Sequence, residues 1–410
     1  MVTWEYPPHM VGGLGTYAGA MVPALRSAGH EVEVFSALRN DDSAPDDGTH
    51  WARALGLPSA YEAIPNQGAS SWGLFLSELY SANLYWADAI RTQHRAAPFD
   101  ILAIHDWLAA PCALMLSRHI NVPIVLHIHS TEWGRQPDTP SPVVSGWELA
   151  AGQAANATIT VSNAMVEDLI NHGWQPGTVH AIWNGVDTDI FDPRSPGGPA
   201  LRARYGLGEN TTVVLFIGRL TGVKGIINLL TAWPDISSHH PNAHLVVLGT
   251  GDLNHDVHQT VANLNIQSSV SLITKWVEDP ERVAHFLAAD LVVLPSTYEP
   301  FGIVGLEAMA CERAVVVGTT GVVGFREQVV GSGPERCGIH VDASDPEDVS
   351  RGIRTALSNP QQLHDWGKNG RRRATSMFTW TKAASRTLNV YQGLLSHPCS
   401  SLSPNTHYDA

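Results

Sequence analysis

Short apolar runs rich in β-branched residues recur along the chain, separated by stretches of helical length and spacing. The runs at 31–36, 101–105, 122–129, 158–162 and 179–183, and again at 213–218, 244–249, 270–273, 291–295 and 314–318, read as strands. Their apolar character is nearly continuous rather than alternating, which suits strands covered on both faces in a parallel sheet. The stretches 15–28, 74–94, 163–172, 280–289 and 346–358 between them carry helical patterns. Alternation of strand and helix predicts an α/β fold of doubly wound units. Residues 1–4 read as the end of a strand whose beginning is missing.

The rhythm breaks at residues 192–208, where Asp192-Pro193-Arg194-Ser195-Pro196-Gly197-Gly198-Pro199 is dense in turn formers. The predicted division is therefore an N-terminal unit over 1–191, a linker over 192–208 and a second unit over 209–378. A terminal helix over 379–395 and a frayed Ser/Pro-rich tail over 396–410 follow. Two units also fit the length, since 410 residues exceed what one core usually holds. An acidic stretch at 40–49 reads as a solvated loop, and the cationic run Arg371-Arg372-Arg373 as a solvated helix face.

Composition narrows the function classes. Hydrophobic residues make up 44% and the mean hydropathy is -0.06, a core-forming composition. The 25 Lys and Arg against 39 Asp and Glu leave a formal charge of -14, which disfavours a nucleic-acid partner. Apolar runs stay short of the roughly 18 residues of a membrane helix. Four scattered cysteines and the absence of a signal-peptide pattern fit a reducing, cytoplasmic setting.

Five constellations could carry chemistry. Val11-Gly12-Gly13-Leu14-Gly15 lies between the first strand and a helix, where amides and a helix N-terminus can meet a phosphate. Gly218-Arg219-Leu220-Thr221-Gly222-Val223-Lys224-Gly225 sets two cations among glycines after a strand, a pyrophosphate-binding chemistry without Walker A spacing. After the apolar run 291–295 comes a segment with Glu299 and Glu307 eight residues apart, enclosing Gly302, Ile303 and Val304. Its glycines free amides, and its carboxylates can accept from sugar or ribose hydroxyls; a plain helix-N-terminal acid is the simpler reading of Glu307. His127-Ile128-His129 puts two imidazoles on one face of a strand, near His105-Asp106-Trp107. No third ligand at a diagnostic spacing accompanies the pair, so a hydrogen-bonding role is expected rather than a metal. Gly318-Thr319-Thr320-Gly321 could offer further amides to a phosphate. Asp187-Thr188-Asp189 reads as a structural turn, not a metal-binding pair.

Taken together, these stretches resemble the retaining GT-B glycosyltransferases of the family-4 and glycogen/starch-synthase type. The resemblance rests on Glu5-Tyr6-Pro7-Pro8 with Gly12-Gly13, His105-Asp106-Trp107, His127-Ile128-His129, Asn184-Gly185-Val186-Asp187, Arg219 with Lys224, and Glu299-Pro300-Phe301-Gly302 with Glu307-Ala308-Met309. It implies two Rossmann-like domains facing across a cleft and a last helix that crosses back. It also implies a nucleoside diphosphate-sugar donor, no metal or other cofactor, and a sugar acceptor such as an α-glucan. By motif, Arg219 and Lys224 bind the diphosphate, Glu307 the ribose, Glu299 the donor sugar and His129 its 6-hydroxyl. Gly12, Gly13, Gly302, Ile303 and Val304, with Thr320 and Gly321 as helpers, supply further donor contacts. One departure stands out: glycogen and starch synthases carry a Lys two residues before the Gly-Gly pair, and this chain has Met10 there. A small-molecule or lipid-linked acceptor, a nucleotide-sugar epimerase and a non-catalytic binder are the competing expectations.

Overall fold

The structure is a computed structural model that describes residues 1–38, 44–53 and 71–396. The tail beyond residue 396 and part of the acidic stretch 40–49 lie outside the described residues.

Residues 2–181 carry one parallel sheet. Its strands are β1 (Phe35–Leu38), β2 (His50–Arg53), β3 (Leu102–His105), β4 (Ile124–Ile128), β5 (Ala157–Thr160) and β6 (Val179–Ala181). Val2 bridges in parallel to both Phe35 and Ile104, so residues 1–3 form the strand between β1 and β3. The Val2 amide donates to Ala103 O at 2.8 Å and the Thr3 amide to Phe35 O at 3.0 Å. Chain order therefore reverses between residues 1–3 and β3.

The second sheet comprises β7 (Thr212–Ile217), β8 (Ala243–Leu248), β9 (Val270–Ile273), β10 (Leu291–Leu294), β11 (Ala314–Gly318) and β12 (Gly338–Val341). Its spatial order is β12-β11-β10-β7-β8-β9, every pairing parallel. This is the doubly wound order with its switch point between β7 and β10, where such sheets open a crevice for ligands. Continuous apolarity has the expected cause: Val213, Leu215 and Ile217 enter one buried cluster while Val214 and Phe216 enter another.

Several expectations need correction. The first predicted run at 31–36 pairs as a strand only from Phe35, and the short edge strands β2 and β12 carry too few apolar residues to stand out in the pattern. Residues 192–208 are not a simple linker, because Gly198–Arg204 is helical. That helix packs Leu201 on Ala284 and Ala288, and Arg202 pairs with Asp290 at 2.7 Å. Nor is the arginine run a solvated face. Arg371 donates to the carbonyls of Ala310 and Phe191, and Arg373 to those of Gln328 and Glu327.

The last helix, Trp380–Ser396, packs on Gly13–Ser27, burying Ala383, Ala384 and Thr387 near Tyr17 and Met21. It passes so close to Gly185 that a Cβ there would lie 2.3 Å from the Trp380 amide. Asp187 Oδ1 accepts from the amides of Asp189 and Ile190 at 2.9 and 3.1 Å, which is the structural turn that the sequence suggested.

Candidate functional site

At the switch point of the second sheet, the loops after β7 and β10 lock together. Gly225, at φ +71°, sits where a Cβ would be 1.8 Å from Pro295 O, so the two loops touch backbone to backbone. The Thr297 amide donates to Val223 O at 2.9 Å. This contact delivers the Lys224 ammonium to the Glu299 carboxylate, and the two form an ion pair. Glu299 is buried, and Ser296 Oγ lies 3.4 Å from the same carboxylate oxygen. Its backbone is pinned as well: the Glu299 amide donates to Val322 O at 2.9 Å, and its carbonyl accepts from the Gly324 amide at 2.7 Å. Arg219, on the same loop as Lys224, is exposed and has no ion pair among the described residues. A buried carboxylate beside two cations, one of them without an ion pair among the described residues, has the chemistry to receive a pyrophosphate-linked group.

Gly302 ends this loop in the left-handed region at φ +87° and caps the helix Ile303–Ala310, so the amides of Ile303 and Val304 stand at a helix N-terminus. Glu307, further along this helix, is buried and accepts from Arg282 at 3.1 Å. Burial raises its carboxyl above the ordinary range, and Arg282 opposes the rise. Thr320 and Gly321 are exposed in the loop after β11, with Gly321 next to Thr297 O.

In the first sheet, the loops flanking the switch point carry Glu5 and Asp106. Asp106 holds φ +57°, a conformation that costs a non-glycine residue about 1–3 kcal/mol. Its Oδ1 accepts from the His129 amide at 2.7 Å. His129 Nε2 lies 3.2 Å from His105 Nδ1, and the His129 ring packs 4.4 Å from that of Tyr17. His127 instead faces the last helix, 2.9 Å from Tyr391 Oη. Gly12, expected to offer its amide to the donor, has that amide on a carboxylate of the chain itself. Glu5 Oε2 accepts from Val11, Gly12 and Gly15 at 2.8, 2.9 and 3.2 Å, so a carboxylate from the chain itself fills the loop's amide nest. Gly13 is the first residue of the helix Gly13–Ser27.

Two side chains join the sheets, and the motif reading assigned neither a role. Tyr298 Oη accepts from the Thr131 amide at 2.8 Å and lies 3.0 Å from Thr131 Oγ1. Its ring fills the space beside Gly134, where a Cβ would lie 2.0 Å away. A continuous path thus runs from His129 through Thr131 and Tyr298 to Glu299 and Lys224. Glu327 caps the helix Asn163–Asn171, accepting from the amides of Asn163 and Ala164 at 3.1 and 3.0 Å and from Trp183 Nε1 at 2.7 Å. Tyr298→Phe leaves the buried Thr131 amide unpaired, at about 1–3 kcal/mol. We expect kcat/KM to fall about tenfold and the melting temperature by a few degrees; kinetics and melts both unchanged would discard the link.

The histidines also set a pH response. Burial holds His105 and His127 well below the ordinary imidazole range and lowers His129 too. Groups whose folded pKa is depressed in this way favour the folded state above about pH 6.5, and that contribution is lost as pH falls below it. Glu148, pushed up to about 7 by burial, acts in the opposite sense between pH 7 and 4.5, as do Glu307 and Asp106, whose carboxyls burial also raises, while the lowered His180, His244, His285 and His340 add to the histidine side and outnumber these acids. The melting temperature should therefore drop between pH 6.5 and 5. A flat profile across that interval would contradict the neutral, buried cluster.

Comparison with known proteins agrees with this geometry. The family model for glycosyl transferases group 1 matches residues 199–373, and that for glycosyltransferase family 4 matches residues 11–190. The alpha-maltose-1-phosphate synthase of Mycolicibacterium smegmatis is 30% identical, over 96% of this chain and 98% of its own. The glycogen synthase of Mycobacterium tuberculosis is 30% identical over 95% and 93%. Among solved structures, the sucrose-phosphate synthase of Thermosynechococcus elongatus superposes with a TM-score of 0.78 at 22% identity, over 96% of this chain and 98% of that one. The chain belongs to the glycogen synthase-like GT-B glycosyltransferases.

Proposed function

We propose that this glycosyltransferase moves glucose from ADP- or UDP-glucose to a hydroxyl of an α-glucan, with retention of configuration. The observation that carries the reading is the Lys224–Glu299 pair beside the unpaired Arg219 at the β7/β10 switch point. Arg219 and Lys224 hold the diphosphate and stabilise the charge that grows on it as the sugar–phosphate bond breaks. Glu299 contacts the donor sugar and supports positive charge at its anomeric carbon. Glu307 accepts from the ribose hydroxyls, oriented by Arg282. The amides of Ile303 and Val304 and the Gly13 helix end face the donor phosphates and sugar, with Thr320 and Gly321 at the margin. His129, aligned by Asp106, hydrogen-bonds the 6-hydroxyl. Two fixed cations take the place of a metal, and the reaction runs in the cytoplasm.

The relative named glycogen synthase supports a glucan acceptor. The relative named alpha-maltose-1-phosphate synthase, together with Met10 in place of the synthase lysine, favours a sugar phosphate as the second reading. Nucleotide release from ADP-, UDP- and GDP-sugars, each with glycogen, malto-oligosaccharide or glucose 1-phosphate, separates the two. Glucan-dependent release from ADP- or UDP-glucose, undiminished by a chelator, is the expected result. Release that requires the sugar phosphate selects the second reading, and release with no acceptor at all contradicts both.

A further inference from the structure

We propose that the aromatic face formed by Trp72, Phe75, Tyr80, Trp107 and Trp147 is a platform for the acceptor's glucan chain. It lies beyond the sugar that receives the transferred residue. This rests on the glucan reading above and names where that chain lies.

The face grows out of the first sheet's switch point. Trp4 follows the strand of residues 1–3 and Trp107 follows β3, each next to a residue that shapes the site: Glu5 on the glycine loop and Asp106 on His129. From there the rings run outward in contact. Trp4 packs on Phe75 at 5.7 Å, and Phe75 on Trp107 at 6.1 Å. Trp72 lies 6.2 Å from Trp107, Trp107 stacks on Trp147 at 6.3 Å, and Trp147 meets Tyr80 at 5.8 Å. Trp72 and Tyr80 are 44% and 45% exposed.

Core packing does not account for this exposure. The helix Ser71–Ala96 is already anchored by its inner face, where Leu79, Ala82, Trp86 and Ile90 are buried. Its outward aromatic side is an exposed patch of the kind that marks a binding surface. Charge selects the occupant. Between residues 72 and 90 the helix carries Glu78 and Asp88 and no Lys or Arg, in a chain of net charge -14. A polyanion or an anionic membrane surface is repelled by such a face, whereas a neutral chain of pyranose rings is not. Glucose rings present apolar C–H faces with outward partial positive charge, which match the negative faces of indole and phenol.

The test compares the wild type with Trp72→Ala/Tyr80→Ala and with Trp72→Phe/Tyr80→Phe, both at outward positions. Calorimetry with maltoheptaose, maltose and UDP or ADP, and migration in native gels containing glycogen, read binding without turnover. Wild type should bind maltoheptaose more tightly than maltose. The alanine pair should lose at least tenfold for maltoheptaose while keeping its affinities for maltose and nucleotide, and the phenylalanine pair should retain most of the binding. Equal maltoheptaose affinity in wild type and the alanine pair overturns the platform, as does cosedimentation with phosphatidylcholine or phosphatidylglycerol vesicles that the alanine pair abolishes. Normal glucan-dependent nucleotide release with unaltered maltoheptaose binding in the alanine pair removes the platform and leaves the function standing. Maltoheptaose binding that the alanine pair loses, in a protein that releases nucleotide only with a sugar phosphate, keeps the platform and removes the glucan-transfer reading.

Discussion

Replacing Lys224 with Ala is expected to lower kcat/KM by at least about a hundredfold, the scale of removing one preorganised charge-stabilising donor. The structure adds a second consequence. Lys224 is the ion-pair partner of Glu299, a buried carboxylate whose other side-chain neighbour is a hydroxyl at 3.4 Å. With the ammonium gone, that carboxylate is left buried without its charge partner, which is destabilising and releases the side chain from its fixed position. Lys224→Ala should therefore lose both stabilisation of the leaving diphosphate and the fixed placement of Glu299. Thermal melts beside steady-state rates separate these effects, because only the second lowers the melting temperature. Lys224→Arg keeps a cation and should fall less. Near-normal turnover by the alanine variant would remove Lys224 from the mechanism.

The legible and illegible parts of the site differ in a physical way. Lys224 and Glu299 sit on separate motifs, but each motif directly follows a buried strand. The apolar runs 213–218 and 291–295 therefore located the ends of β7 and β10, and doubly wound topology places such ends side by side. Contacts that depend on tertiary packing had no such signal. Glu5 takes the amides of residues 11, 12 and 15, so the glycine loop looks the same in sequence whether its nest is empty or filled. Tyr298 reads as one aromatic residue in a family motif until its hydroxyl is seen on Thr131, 167 positions away. Arg371 and Arg373 form a cationic run in the sequence, yet their guanidinium groups are tied to backbone carbonyls at the ends of other elements. Helix Gly198–Arg204 was hidden by the turn formers around its start, since two glycines and three prolines between residues 193 and 199 outweigh one leucine in any local reading.

Gly302→Ala should damage fold and site together. At φ +87° the residue lies where an L side chain costs roughly 1–2 kcal/mol in backbone energy. Space is lacking too: a Cβ would stand 2.2 Å from Phe325 Cε1 and 2.9 Å from Glu299 Cγ. Phe325 is fully buried in the core of the second sheet and cannot swing aside, so overpacking adds roughly 1–3 kcal/mol. The sum, roughly 2–5 kcal/mol, corresponds to a fall in melting temperature on the order of 10 °C for a unit of about 200 residues. Whatever strain is not absorbed by Phe325 falls on Glu299, whose side chain is the other near neighbour, and displaces it from Lys224. The expected result is a folded but less stable protein whose kcat drops by at least about tenfold, while nucleotide affinity, which the proposed function spreads over Arg219, Lys224 and Glu307 as well as the amides after Gly302, falls by less. Differential scanning calorimetry and binding of UDP or ADP measure the two halves separately. A variant with unchanged melting temperature and unchanged kcat would show that the loop after β10 accommodates a side chain, and that the left-handed glycine is not what aims Glu299.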